Sequence, residues 1–179
     1  MYYAKLDNFN QDYEIVNCEL EQVAKEAVKA HAKSFISRKV RVQLDIPPAV
    51  TVQSDKKWLS FIVSQLVSNS LKYSGASGEI TISALATQEE KRLIIRDNGI
   101  GIEAKDLPRI FNRGFTGANG RSHATSTGMG LYLAQELSKK LGHYLTCESA
   151  VGNYTEFTIH FPRNADPHLQ TVRRHDFAD

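Results

Sequence analysis

Two segments with strand periodicity, GEITISALAT (78–87) and KRLIIRD (91–97), are separated only by Gln88, Glu89 and Glu90. Three residues can close an antiparallel hairpin, but parallel neighbours need a crossover of about a dozen residues or more. The end of the chain repeats the constraint: YLTCES (144–149) and YTEFTIHFP (154–162) are joined through 150–153. A chain built on two such hairpins is a poor match to a doubly wound parallel fold.

The rest of the pattern fits around them. EIVNCEL (14–20) alternates enough for a short strand. From Leu20 the positions Leu20, Val23, Ala24, Ala27, Val28, His31 and Phe35 follow helical spacing, which predicts one helix to about Ser37. KVRVQLDI (39–46) alternates Val40, Val42, Leu44 and Ile46 until Pro47-Pro48 ends it, and TVQS (51–54) adds a short extended piece. Asp55 suits a helix N-cap, and Gly75 and Gly78 end the helix that follows. GMGLYLAQELSKKLG (128–142) is a second glycine-bounded helix. The order predicts an α+β fold: a two-layer α/β sandwich whose mixed, mostly antiparallel sheet carries its helices on one face. Residues 103–127, rich in Gly, Asn, Ser and Thr, have the length of a functional lid. Residues 163–179 lack periodicity and are expected to form a flexible tail.

With 179 residues, 41% hydrophobic and 23% charged, the chain has room for one domain with a real core. A net charge of +2 without long single-sign blocks gives no reason to expect nucleic acid or an acidic membrane as partner. Cys18 and Cys147 lie far apart without metal-ligand spacing, which favours free thiols in a reducing compartment. No apolar run approaches the ~18–20 residues of a membrane helix, and no signal peptide opens the chain. A soluble, cytoplasmic piece is expected, whether or not its parent is a membrane protein.

Three places hold polar chemistry where packing does not ask for it. On the helix after Asp55, projection at about 100° per residue puts Trp58, Leu59, Ile62, Leu66 and Tyr73 on one side. Asn69 lands in the middle of that stripe, with Gln65 and Lys72 along one edge. Asn69 is then either a satisfied core amide or a hard-oxygen ligand for Mg²⁺, with Lys72 near a terminal phosphate. In RDNGIGI (96–102), Asp97 ends a strand before Gly99 and Gly101. It forms either a surface turn or an acceptor for a ligand N–H₂ such as that of adenine, the glycines allowing φ > 0 and close approach of the ligand. In STGMGLYLAQ (126–135), Gly128 and Gly130 open a helix whose first N–H groups can meet phosphate, unless Ser126 or Thr127 simply caps it. The spacing is neither that of a P-loop nor that of a dinucleotide fingerprint.

Taken in order, QLVSNSLKYS, RDNGIGI, LPRIFNRGF, STGMGLYLAQELSKKLG and GNYTEFTIHFP resemble the catalytic ATP-binding domain of sensor histidine kinases. These belong to the Bergerat-fold ATPases, with gyrase, Hsp90 and MutL relatives. The resemblance runs from about Val16 to Pro162, and FNRGFTGANGR with YYAKLD looks most like the bacitracin- and peptide-antibiotic-sensing kinases of Gram-positive bacteria. It implies ATP and Mg²⁺ as cofactors. Asn69 and Lys72 would be catalytic, with Asn69 holding Mg²⁺ and Gln65 standing where many relatives have a second asparagine. Tyr73 would border the base, Asp97 would accept from adenine, and Gly99, Gly101 and Ile102 would shape the pocket. Phe111 and Phe115 would anchor the lid, and Arg113 or Arg121 would approach the γ-phosphate. Thr127, Gly128, Met129, Gly130 and Leu131 would line the phosphates, and Thr155 would contact adenine through water. The domain would span 14–162 with its lid at 103–127, and 1–13 would be the end of a dimerisation helix.

None of the six histidines, His31, His123, His143, His160, His168 and His175, sits in a phosphoacceptor context like H-[DE]-x-[KR]-[TS]-P. His31 reads as a core or boundary residue and His123 as a solvated lid residue. The resemblance therefore implies a fragment. Its partners would be the parent's dimerisation and phosphoacceptor domain, a response regulator and an ABC transporter, with the parent anchored in the bacterial membrane. Rival readings are a gyrase- or Hsp90-like machine, which would need a transducer domain, an anti-sigma-factor-type serine kinase, and a non-catalytic nucleotide-binding or interaction module.

Overall fold

The computed structural model describes residues 13–117 and 128–163. Residues 1–12 of the expected helix remnant at 1–13, lid residues 118–127 and the tail from 164 lie outside that range, and with them Arg121, His123, Ser126 and Thr127.

Among the described residues, seven strands and four α-helices follow the expected order. They are β1 (Val16–Glu19), α1 (Leu20–Ala30), α2 (Ala32–Arg38), β2 (Arg41–Asp45), β3 (Thr51–Ser54), α3 (Lys56–Tyr73), β4 (Glu79–Ala86), β5 (Glu90–Asp97), α4 (Gly130–Lys140), β6 (Tyr144–Ala150) and β7 (Tyr154–Pro162). The main sheet has the order β2-β4-β5-β7-β6. Only β2 and β4 run parallel, with Arg41 opposite Glu79; the other pairs are antiparallel. β3 and α3 make the crossover between that parallel pair, and the two short connections close the hairpins β4–β5 and β6–β7. Thr87 shapes the first of these turns, its N–H donating to the Glu90 carbonyl at 2.8 Å.

Two features differ from the sequence reading. β1 and β3 leave the main sheet and form their own antiparallel ribbon, with Val16 opposite Ser54. The helix expected from Leu20 to Ser37 breaks at His31, whose φ of −104° and ψ of 12° leave helical geometry. A single deviant residue barely shifts the phase of the apolar positions, so Phe35 is still buried and periodicity could not reveal the break. His31 sits at a boundary, its Nε2 2.9 Å from Ser64 Oγ.

α3 is the central helix, packing against α1, α4 and β5. Its ends are held by side chains. Asp55 Oδ1 accepts from Trp58 N at 2.9 Å, and its Oδ2 accepts from Glu14 N at 2.8 Å. Arg38 donates to the Leu71 and Lys72 carbonyls at 2.5 and 3.2 Å, partners the last turn of a helix lacks internally. Leu59, Ile62, Val63, Leu66 and Val67 are fully buried, as are Ile80, Ile82, Leu93, Ile95, Phe157 and Ile159 of the sheet and Leu133 and Leu137 of α4. Burial at these sites offsets the cost of ordering the chain at roughly 25 cal/mol per Å² of apolar surface removed from water.

Candidate functional site

On β5 the inward-facing positions are Leu93, Ile95 and Asp97, so strand alternation points a carboxylate toward the helix layer at the strand's end. Asp97 is only 2% exposed. Its Oδ1 accepts from Gly99 N at 2.9 Å, while Oδ2, like the buried Ser70 Oγ on α3, has no hydrogen-bond partner among the described residues. Burial raises the Asp97 pKa from 3.8 to about 6, opposed by the Gly99 N–H, the nearby Ser70 hydroxyl and Arg96. The Ser70 hydroxyl favours the charged form from close by, yet its oxygen and Oδ2 do not close a hydrogen bond. An unpaired buried acceptor costs about 1–3 kcal/mol. A ligand donor to Oδ2 would relieve that cost.

Thr155 stands opposite Asp97 in the β5–β7 ladder and is 3% exposed. Its Oγ1 lies 3.0 Å from Ser149 Oγ on β6, and Ser149 also accepts from Ile102 N at 2.8 Å. Ser70 and Ser149 are the residues that sequence reasoning missed. Ser70 carried a weak signal, a hydroxyl one position past Asn69 on a helix side rich in apolar residues.

The glycines after Asp97 meet the chain's own backbone at close range. A Cβ on Gly99 would lie 2.1 Å from the Tyr73 carbonyl oxygen, and one on Gly101 2.3 Å from that of Ala150. Only Gly101 has a positive φ, +73°. The chain's own backbone makes the close approach: Ile100 N donates to Tyr73 O at 3.2 Å, and Gly152 N donates to Ile100 O at 2.7 Å. The loop is thus clamped between the end of α3 and the β6–β7 turn.

Asn69 is not in the middle of the buried stripe of α3. The buried arc also takes in Val63, Val67, Ser70 and Leu71, and Gln65, Asn69, Lys72 and Tyr73 are half-buried along its flank. A projection from Trp58, Leu59, Ile62, Leu66 and Tyr73 alone places the stripe off its true centre. Lys72 Nζ lies 5.4 Å from the Tyr73 ring centroid. Gln65 reaches α4, since a Cβ on Gly130 would meet its Oε1 at 2.6 Å. α4 begins at Gly130 after Met129 with no side-chain cap among the described residues, and Leu131 packs against the core. Met129 thus gives the first N–H groups no side-chain cap, at the end where the helix dipole favours an anion.

Gly128 has φ +67° and sits against Gly114, whose N–H donates to the Gly128 carbonyl at 3.1 Å. A Cβ on Gly128 would fall 2.4 Å from the Gly114 carbonyl carbon, so Gly114, midway along the lid, packs against the glycine that follows it. The first half of the lid is less irregular than expected: Leu107–Arg109 form a 3₁₀ turn and Ile110 is buried. Phe111 packs edge-on against Phe157 with centroids 6.4 Å apart, and the Arg109 guanidinium lies 4.6 Å over Phe115. Arg113 is exposed on the same segment.

Among the described residues no group of three or more His, Cys, Asp or Glu could hold a metal ion. Cation binding at this flank would fall to the amide oxygens of Asn69 and Gln65. Mg²⁺ suits so small a set, since it keeps several waters and takes phosphate oxygens.

Residues 54–165 match the family described as histidine kinase-, DNA gyrase B-, and HSP90-like ATPase. The sensor histidine kinase YxdK of Bacillus subtilis is 31% identical over 162 residues, 90% of this chain and 50% of that protein. The sensor protein BceS of the same organism is 46% identical over 125 residues, 69% of this chain and 37% of that protein. The chain thus spans half or less of the length of these relatives. Among solved structures, the catalytic domain of histidine kinase ThkA superposes with a TM-score of 0.73 at 17% identity, covering 86% of this chain and 99% of that one. That likeness shows the fold. ThkA has also been solved in complex with the response regulator protein TrrA.

Proposed function

Because the chain belongs to the histidine kinase-, DNA gyrase B-, and HSP90-like ATPase family, as an ATP-binding catalytic domain of the sensor histidine kinase type, we propose that it binds Mg·ATP between α3, α4 and the lid. It presents the γ-phosphoryl group to a histidine on a separate dimerisation domain. The observation that carries this reading is Asp97, buried at a strand end with one carboxylate oxygen lacking a donor.

In this reading Asp97 Oδ2 accepts from the adenine amino group, with Thr155 beside it and Tyr73 bordering the base. Ile102, Gly99 and Gly101 hold the pocket wall through the clamp on the loop. The α4 N–H groups from Gly130 and Leu131 meet the phosphates, with the Lys72 cation nearby. Asn69 holds Mg²⁺ with Gln65 beside it, and the bound ion supplies neutralisation of the phosphate charge. Phosphoryl transfer depends chiefly on such positioning and charge neutralisation. Phe111 and Phe115 fix the root of the lid while Arg113 or Arg121 approaches the γ-phosphate.

The acceptor histidine lies on a domain of the parent protein, preceded by a membrane sensor that answers peptide antibiotics or cell-envelope stress, alone or with an ABC transporter. A response regulator receives the phosphoryl group. Among the described residues no helix is long and apolar enough to cross a membrane. Incubating this chain with a separate dimerisation hairpin and γ-labelled ATP tests the reaction. Acid-labile, base-stable label on the hairpin is the expected result; bound ATP without transfer would refute the kinase reading.

A further inference from the structure

Ser149 sits where three hydrogen bonds meet. Its hydroxyl donates to the Tyr154 carbonyl at 2.6 Å, and its oxygen accepts from Ile102 N at 2.8 Å. Thr155 Oγ1 lies 3.0 Å away. A serine hydroxyl has one proton and two lone pairs. The proton is used on Tyr154, because a carbonyl can only accept, and one lone pair is used by the Ile102 N–H. The remaining lone pair faces Thr155, so the Thr155 hydroxyl must donate to Ser149. Thr155 then has only lone pairs left for anything else.

Thr155 is the ladder neighbour of Asp97, whose unpartnered oxygen is likewise an acceptor once ionised. We propose that Ser149 is a positioning residue that turns the Thr155 proton away from the base site, so that the Asp97–Thr155 row offers acceptors only and selects a 6-amino over a 6-oxo purine. This rests on the reading of Asp97 and Thr155 as the base site. Ser149 touches no ligand itself; it acts by fixing the direction of a neighbour's proton. Without it, Thr155 is free to rotate its proton into the site and donate to a 6-oxo group.

The test is the ratio of dissociation constants for inosine triphosphate and ATP, measured by calorimetry with Mg²⁺ on this chain at pH 8, where Asp97 is ionised. In Ser149→Ala the preference for ATP is expected to narrow by about tenfold, the worth of one hydrogen bond gained by the 6-oxo base. Ser149→Thr keeps the hydroxyl and restores the wild-type ratio. If Ser149→Ala does not fold, Ser149→Cys decides, since a thiol is a poor acceptor and should narrow the ratio in the same direction. A structural role would weaken both nucleotides in parallel, and an unchanged ratio in a folded variant overturns the inference while leaving the nucleotide site intact. Wild-type chain that binds neither nucleotide would overturn the site itself.

Discussion

Replacing Asp97 by asparagine should make the domain more stable and less able to bind ATP. The folded chain holds the Asp97 proton more tightly than the unfolded chain does, with the pKa moving from 3.8 to about 6 as the carboxyl is buried. A raised acid favours folding in its protonated form. The stability tied to that proton is complete below about pH 3.8 and is lost as pH rises through about 6. Every tenfold gain in proton affinity on folding corresponds to about 1.4 kcal/mol, so ionising Asp97 costs the fold about 3 kcal/mol at neutral pH. Asparagine is close in shape, can still accept from Gly99 N, and carries no charge to bury. The difference in unfolding free energy between Asp97→Asn and wild type should therefore grow from about pH 4 to 6 and level off near ~3 kcal/mol above pH 7. For a domain of this size that corresponds to a rise in Tm of roughly 6–12 °C. Urea melts of both proteins between pH 4.5 and 8 supply the curve, and calorimetry supplies the other half. At pH 8 the variant offers an N–H₂ where the base needs an acceptor. Losing a hydrogen bond to a charged group, worth about 1.5–3 kcal/mol, weakens ATP by roughly tenfold to 150-fold. Wild-type affinity should itself fall below pH 6 as Asp97 protonates. A stability difference that stays flat with pH, or an Asp97→Asn domain that binds ATP as wild type does, would overturn this account of the carboxylate.

Other outcomes follow from the same geometry. Gly99→Ala forces a methyl to within 2.1 Å of the Tyr73 carbonyl, and the clash with backbone should destabilise the domain by about 1–3 kcal/mol or more in urea melts; an unchanged midpoint would show that the loop is not clamped. His143, packed on Phe161 and 2.9 Å from Ser54 Oγ, has its pKa lowered to about 4 by burial. It must be neutral in the folded chain, so stability is lost as pH falls from about 6.5 towards 4, and His143→Phe should flatten that part of the acid-unfolding curve. Cys147, with its thiol pushed up to about 12 by burial and by the charges of Asp97, Glu148 and Glu156, should resist iodoacetamide at pH 8 until the chain is unfolded. Rapid alkylation of the native protein at Cys147 would contradict its placement.

Much of the architecture is legible because it is written in local terms. Three-residue and four-residue connections allow only hairpins, and alternation through Leu93 and Ile95 turns Asp97 inward whatever lies opposite. Helical spacing finds α3 and α4, and Asp55 marks where α3 begins. The glycine-led start of α4 signals a helix end able to face an anion. The family resemblance then joins these separate signals into one nucleotide site.

Other features depend on which distant residue arrives beside each of these. Period and spacing cannot show that the Tyr73 and Ala150 carbonyls press on the loop, so the part these glycines play in packing the chain's own backbone is not legible. Nor can they show that Gly114 packs against Gly128, or that β1 and β3 leave the main sheet to pair alone. The flank position of Asn69 depends on how wide an arc of α3 the neighbouring helices and β5 cover, which is a property of their packing. Ser149 is one more polar residue in a strand until Ile102, Tyr154 and Thr155 converge on its oxygen. Local pattern thus placed a carboxylate at a strand end and left open whether it faced water or a ligand. Packing left one of its oxygens without a donor, because only the assembled neighbours determine which hydrogen bonds remain to be made.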